Sequence, residues 1–188
     1  MDQSSLIKIR FYIKLTYQVK IACPARCSKY QDHVYGTREY TTDSYICAAA
    51  LHDGRIHDST GGEVTIKKKV SGLQHYVGTL MNGINSKDYG AWSKSFIFAL
   101  YAPKEFNIVA GSVSDTQVMI EWQLVSGADS YDVAIRTGDA AEYEASSKMP
   151  SIKENKVQLS ELLPDTTYVI SVTARNVIEF SEAAEVRF

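Results

Sequence analysis

The sequence predicts an α+β domain, strands around one central helix, followed by an all-β sandwich. Three observations carry that prediction. Residues 7 to 21 alternate apolar and polar almost without a break, Ile46 to Leu51 is a short apolar helix former, and from Val118 onward short alternating runs are separated by turn residues.

In the first run Ile7, Ile9, Phe11, Ile13, Leu15, Tyr17, Val19 and Ile21 share one face, with Lys8, Arg10, Lys14, Gln18 and Lys20 on the other. A period of two means strand with one side buried. The run exceeds the usual strand of about 5 to 6 residues. It is expected to bend into two strands, or to begin as the last strand of an upstream region, so residues 1–16 are set apart as an N-terminal extension. Asp43 or Ser44 can cap the helix that follows, and Gly54 supplies its C-terminal stop. The helix is nearly all apolar and should be buried against sheet. Glu63 to Val70 then alternates with Val64 and Ile66 inward, and Ser95 to Leu100 reads as a closing strand. Tyr101-Ala102-Pro103 looks like a boundary. Beyond it Val118, Ile120 and Trp122 alternate, then Tyr131, Val133 and Ile135, then Val157 and Leu159, then Tyr168, Ile170, Val172 and Ala174. Turn residues such as Ser126-Gly127 and Thr137-Gly138 separate these short strands, the pattern of a sandwich.

Composition limits the function classes. The 188 residues hold one large domain or two small ones. A hydrophobic content of 45% is ordinary for a packed core. A net charge of −2 gives no reason to expect nucleic acid, which demands a basic face. Twelve tyrosines and four prolines suit a strand-rich fold. No apolar run approaches the roughly 18 to 20 residues that span a bilayer. Leu6 to Ile21 is interrupted by four basic residues and does not read as a signal peptide. The expectation is that Met1 starts an excised piece of a longer secreted or cell-surface chain; an intracellular protein is the alternative.

Between Ile21 and Phe98 local signals fall in a fixed order. They are Cys23-Pro24-Ala25-Arg26-Cys27, Val34-Tyr35-Gly36-Thr37, Ile46-Cys47-Ala48-Ala49-Ala50-Leu51-His52-Asp53-Gly54, Gly61-Gly62, Asn82-Gly83-Ile84 and Trp92-Ser93-Lys94-Ser95-Phe96. The ordered set resembles the LCCL domain over about residues 17–100. In the second half, Leu162, Pro164, Thr166 and Tyr168 match the tyrosine corner, in which the phenol bonds back to the upstream backbone. With Trp122 and Ala174-Arg175-Asn176, residues 103–188 resemble a fibronectin type III domain, an immunoglobulin-like sandwich. The expected division is therefore 1–16, 17–101 and 102–188.

The resemblance implies a non-catalytic binding, adhesion or spacer segment of a larger multidomain protein. LCCL modules are associated with extracellular matrix, host defence and surface adhesion, and some with lipopolysaccharide. The expected partners are other proteins, or a glycan or an anionic lipid such as lipopolysaccharide, with no cofactor. The alternative is a structural scaffold in an intracellular assembly, with reduced cysteines. LCCL domains carry four cysteines in two disulfides, and this chain matches three. By resemblance Cys27 pairs with Cys47 and Cys23 loses its partner.

Other readings of these residues stay open. Cys23, Cys27 and Cys47 with His33, His52 or His57 have the residue types of a Cys3His zinc set, without a second close-spaced ligand pair. Cys47 and His52, near Asp53 or Asp58, have those of a nucleophile and base, but five residues apart on a helix they face different ways. His52 reads as structural, its charge suiting the helix C-terminus. Gly61-Gly62 reads as a turn, since a strand and not a helix follows it. Arg55, Lys67, Lys68, Lys69 and Lys94 are candidates for a patch that contacts an anionic ligand. Arg136-Thr137-Gly138-Asp139 departs from the familiar integrin-binding tripeptide by its inserted threonine. Trp122 and Tyr168 are expected to be structural.

Overall fold

The computed structural model of the chain describes residues 18–138, 147–149 and 151–188. The expected strand pattern over residues 7–17 and the extension 1–16 lie outside the described residues, as does Asp139.

Strand β1 (Gln18–Cys23) turns Val19, Ile21 and Cys23 inward, as the alternation requires. After it come a 3₁₀ helix (Cys27–His33), β2 (Gly36–Thr37), β3 (Glu39–Thr41), helix α1 (Ile46–His52) and β4 (Gly62–Lys69). The small hairpin β5 (Leu80–Met81) and β6 (Ile84–Asn85) and then β7 (Ser95–Phe98) complete this part. Gly61-Gly62 is a turn that opens β4, with Gly61 at φ +69°. The five-stranded antiparallel sheet runs β1-β4-β7-β3-β2. One face packs Val64, Ile66, Phe96, Phe98 and Tyr40 against Ala48, Ala49 and Ala50 of α1. Alanines let the helix lie close to the sheet. The opposite face carries Glu39, Thr65, Lys67 and Lys69.

The N-terminal cap differs from expectation. Tyr45 caps α1 and no side chain closes its first turn. Ser44 is used elsewhere: its Oγ accepts the Tyr35 N–H at 3.0 Å and bonds Thr41 Oγ1 at 3.2 Å, tying the helix entry to β3. The C-terminal stop is as read. The Gly54 N–H donates to the Leu51 carbonyl at 3.0 Å and the Arg55 N–H to that of Ala50 at 2.8 Å. This pair of bonds, with Gly54 at φ +73°, is the Schellman ending.

The second part is a sandwich. Strands β8 (Asn107–Ile108), β9 (Val118–Glu121) and β12 (Lys156–Leu159) form a sheet ordered β12-β9-β8. Strands β10 (Ser130–Thr137), β11 (Ser147–Lys148), β13 (Tyr168–Arg175) and β14 (Phe180–Arg187) form one ordered β11-β10-β13-β14. The alternating residues meet between them: Val118, Ile120, Trp122, Tyr131, Val133, Ile170, Val172 and Ala174 are buried. Tyr168 Oη accepts the Leu163 N–H at 2.9 Å, the bond of the tyrosine corner. Two other phenols work alike, Tyr131 on the Val125 N–H at 2.8 Å and Tyr76 on that of Leu73 at 2.9 Å.

Candidate functional site at the domain seam

The Schellman ending of α1 delivers two side chains to the edge of its sheet. Asp53 is the cap residue and Arg55 follows Gly54. The Asp53 carboxylate is almost wholly buried and receives Arg55 Nε at 2.6 Å and Arg38 Nη1 at 3.3 Å. Arg38 is the tip of the β2–β3 hairpin and sits at φ +63°, a region that costs a non-glycine residue free energy. That conformation sends its guanidinium across to the sandwich. Arg38 Nη2 donates to Asp129 at 2.5 Å, and Nη1 also donates to the Gly127 carbonyl at 3.3 Å.

Arg55 spans the seam as well. Its Nη1 donates to the Ala99 carbonyl at 3.0 Å and to that of Ser126 at 2.8 Å, and Nη2 to that of Phe98 at 3.3 Å. The 126–127 turn approaches so closely that a Cβ at Gly127 would stand 2.2 Å from the Arg55 guanidinium carbon. Glycine is required there twice over, since φ is +81°. Asn176 Nδ2 donates to the same Gly127 carbonyl at 3.1 Å, while Asn176 Oδ1 accepts the N–H groups of Ile178 and Glu179 at 3.0 and 2.9 Å. Glu179, so placed, is ion-paired with Lys67 on the outer face of the sheet. Burial pushes the Lys67 ammonium pKa down. The β9–β10 and β13–β14 loops of the sandwich therefore grip the first sheet through charged groups that are mostly out of water.

His52 lies one residue before this network and is fully buried. Its Nδ1 is 2.7 Å from Tyr40 Oη and its Nε2 is 3.0 Å from the Thr79 carbonyl oxygen. A carbonyl only accepts, so Nε2 carries the hydrogen and Nδ1 accepts from the phenol. Burial pushes the His52 pKa down and that of Tyr40 up. His52 has both ring nitrogens engaged, and the charge expected of it at the helix end is corrected. It is a neutral ring tying α1 to β3 and the β5 strand entry, and contributes no charge to the helix end.

The remaining expectations divide. The disulfide joins Cys23 to Cys47, with Cα atoms 5.4 Å apart, and Cys27 is the free, buried thiol. The pairing of Cys27 with Cys47 is thus corrected. Cys23 ends β1 pointing towards α1, whereas Cys27 opens the 3₁₀ helix, donates from Sγ to the Pro24 carbonyl at 3.0 Å and packs with Leu51 and Ile84. The basic residues do not gather as an open patch. Arg55 is held by Asp53, Lys67 by Glu179, and Lys69 by Glu39 at 2.5 Å, and Lys68 also has an interaction partner. Lys68 and Lys94 are the exposed members of the set, Lys94 standing on the approach to β7. Cys47, spent in a disulfide, cannot serve as a thiolate nucleophile. Among the described residues no cluster of three or more His, Cys, Asp or Glu is arranged to hold a metal, and His33 and His57 stand exposed. Among those residues no helix is long and apolar enough to cross a membrane. Trp122 and Tyr168 fill the sandwich core; Trp122 Nε1 is buried without a hydrogen-bond partner.

Comparison with known proteins bears on both halves. The family model for the LCCL domain matches residues 2–96, and that for the fibronectin type III domain residues 101–187. Vitrin of Mus musculus is 39% identical over 85 residues, which is 45% of this chain and 13% of vitrin. Cysteine-rich secretory protein LCCL domain-containing 2 of Homo sapiens is 34% identical over 93 residues, 48% of this chain and 18% of that protein. The chain thus spans less than a fifth of either relative. A solved fn3 domain of the human collagen alpha-1(XX) chain is 27% identical and covers 47% of this chain and 83% of that one, with a TM-score of 0.42.

Proposed function

Because this chain belongs to the LCCL domain family and continues into a fibronectin type III domain, we propose that it is a non-catalytic recognition segment of a larger extracellular protein. In this reading the first domain makes the contact and the second holds it in a fixed attitude. The observation that carries the reading is the seam. Three charged groups of the first domain, Arg38, Arg55 and Lys67, are spent on the sandwich's loops, so the two domains present one continuous surface to a partner. The Cys23–Cys47 bridge supports an oxidising compartment. So does the word "secretory" in the name of one relative. The engaged ring nitrogens of His52 and the oxidised Cys47 support a role without turnover. The partner class proposed is another protein of the extracellular space; glycans and anionic lipids, including lipopolysaccharide, are the competing classes.

The test is a binding screen of the whole chain against purified matrix proteins, glycan arrays and anionic phospholipid vesicles at physiological salt. Saturable binding to a protein is expected. Binding to vesicles alone would move the assignment to lipid, and no saturable binding to any class would contradict the recognition role.

A further inference from the structure

The seam leaves an open cleft of about 220 Å³ beside the Arg55 rivet, with walls from both domains. Its lining combines apolar surface, Ala99, Ala102 and Val125 among it, with a pair of hydroxyls, Thr65 Oγ1 and Tyr101 Oη, 2.6 Å apart. Two large side chains of its lining are exposed, Tyr101 at 47% and Leu124 at 66%. Clefts between domains, apolar with a few placed polar groups, are where ligands bind, and tyrosine is enriched among the residues that carry binding energy.

The charges at the mouth are unequal. Glu63 is paired with Lys20 at 3.1 Å, and the Arg55 guanidinium is satisfied by Asp53 and three carbonyls. Lys104 lines the same cleft, is exposed, and has no ion-pair partner among the described residues. The uncompensated charge is therefore positive, beside an apolar hollow about wide enough for one side chain.

We infer that this interdomain cleft binds an acidic–apolar peptide segment of a partner protein, its apolar side chain between Tyr101 and Leu124 and its carboxylate at Lys104. The inference rests on the recognition reading and deepens it, by naming the place and chemistry of contact. It also ties binding to domain docking, because Thr65 and Ala99 come from one domain and Gln123, Leu124 and Val125 from the other.

The test is selection of phage-displayed random seven-residue peptides on the whole chain. The recovered peptides are then measured against wild type, Lys104→Glu and Leu124→Ser, each checked for folding by circular dichroism. Both positions are exposed, so the variants should fold. The expected result is enrichment of Asp or Glu beside Leu, Ile, Val or Phe, with binding at least ten-fold weaker in each variant. No enrichment, enrichment of basic peptides, or peptides that bind both variants as tightly as wild type would overturn it. Any of these, alongside saturable matrix-protein binding in the screen above, would dismiss the cleft and leave the recognition reading standing.

Discussion

At the scale of single residues the chain uses burial to fix ionisation and pairing. His52 shows the consequence for pH. Its folded pKa is lowered, because the protonated ring would be desolvated. In the unfolded chain histidine titrates near about 6.5. Below that pH the unfolded state takes up a proton that the folded state resists, so stability falls as pH falls. The contribution is complete above about 6.5 and lost as pH drops through the lower folded value. Urea denaturation of wild type between pH 7.5 and 5 should show this loss, and His52→Gln should flatten it; equal slopes would contradict the assignment. Cysteine pairing is the second residue-scale prediction. Non-reducing peptide mapping of the denatured protein should recover Cys23 joined to Cys47 and only Cys27 alkylated. The loop so closed stabilises the fold by about 3 to 4 kcal/mol on the chain-entropy estimate. A recovered Cys27–Cys47 peptide would contradict the structure. The resemblance assigns Cys27 to Cys47 and misses, because Cys23 and Cys27 are one short turn apart. The choice lies in which thiol faces α1, and that depends on where β1 ends against the helix.

At the scale of elements most of the architecture was legible, because period two survives wherever one face of a strand meets a core. Val118, Ile120 and Trp122, and then Tyr168, Ile170, Val172 and Ala174, are buried as the alternation requires. Helix α1 was legible from its alanines and from Gly54. Its N-terminal cap was not, since Ser44 has a better use against Tyr35 and Thr41 than against its own helix. The tyrosine corner gives the element-scale prediction. Tyr168→Phe keeps the ring and leaves the Leu163 N–H without its acceptor, at a cost of about 1 to 3 kcal/mol. Chemical denaturation followed by tryptophan fluorescence, with Trp92 replaced by Phe so that Trp122 alone reports, would measure it, and an unchanged midpoint would count against the corner.

At the scale of the whole molecule the seam could not be read from sequence. Arg55 is 71 residues from Ser126 and Arg38 is 91 from Asp129, and no local pattern announces such pairs. The ligand patch expected at the basic residues loses two members, since Arg55 and Lys67 bind the neighbouring domain. Asp53 is the keystone, because it holds both arginines from a site closed to water. Asp53→Asn leaves the Arg55 guanidinium without its counter-charge and Arg38 with Asp129 alone, and breaking a buried pair this way costs about 3 to 5 kcal/mol. The central claim is that the two domains are docked as one body. Its most direct test is backbone ¹⁵N relaxation on the whole chain, fitted separately for residues 18–98 and 107–187. A common rotational correlation time for the two sets in wild type, separating into two shorter times in Asp53→Asn, is the predicted result; two independent times in wild type would contradict it.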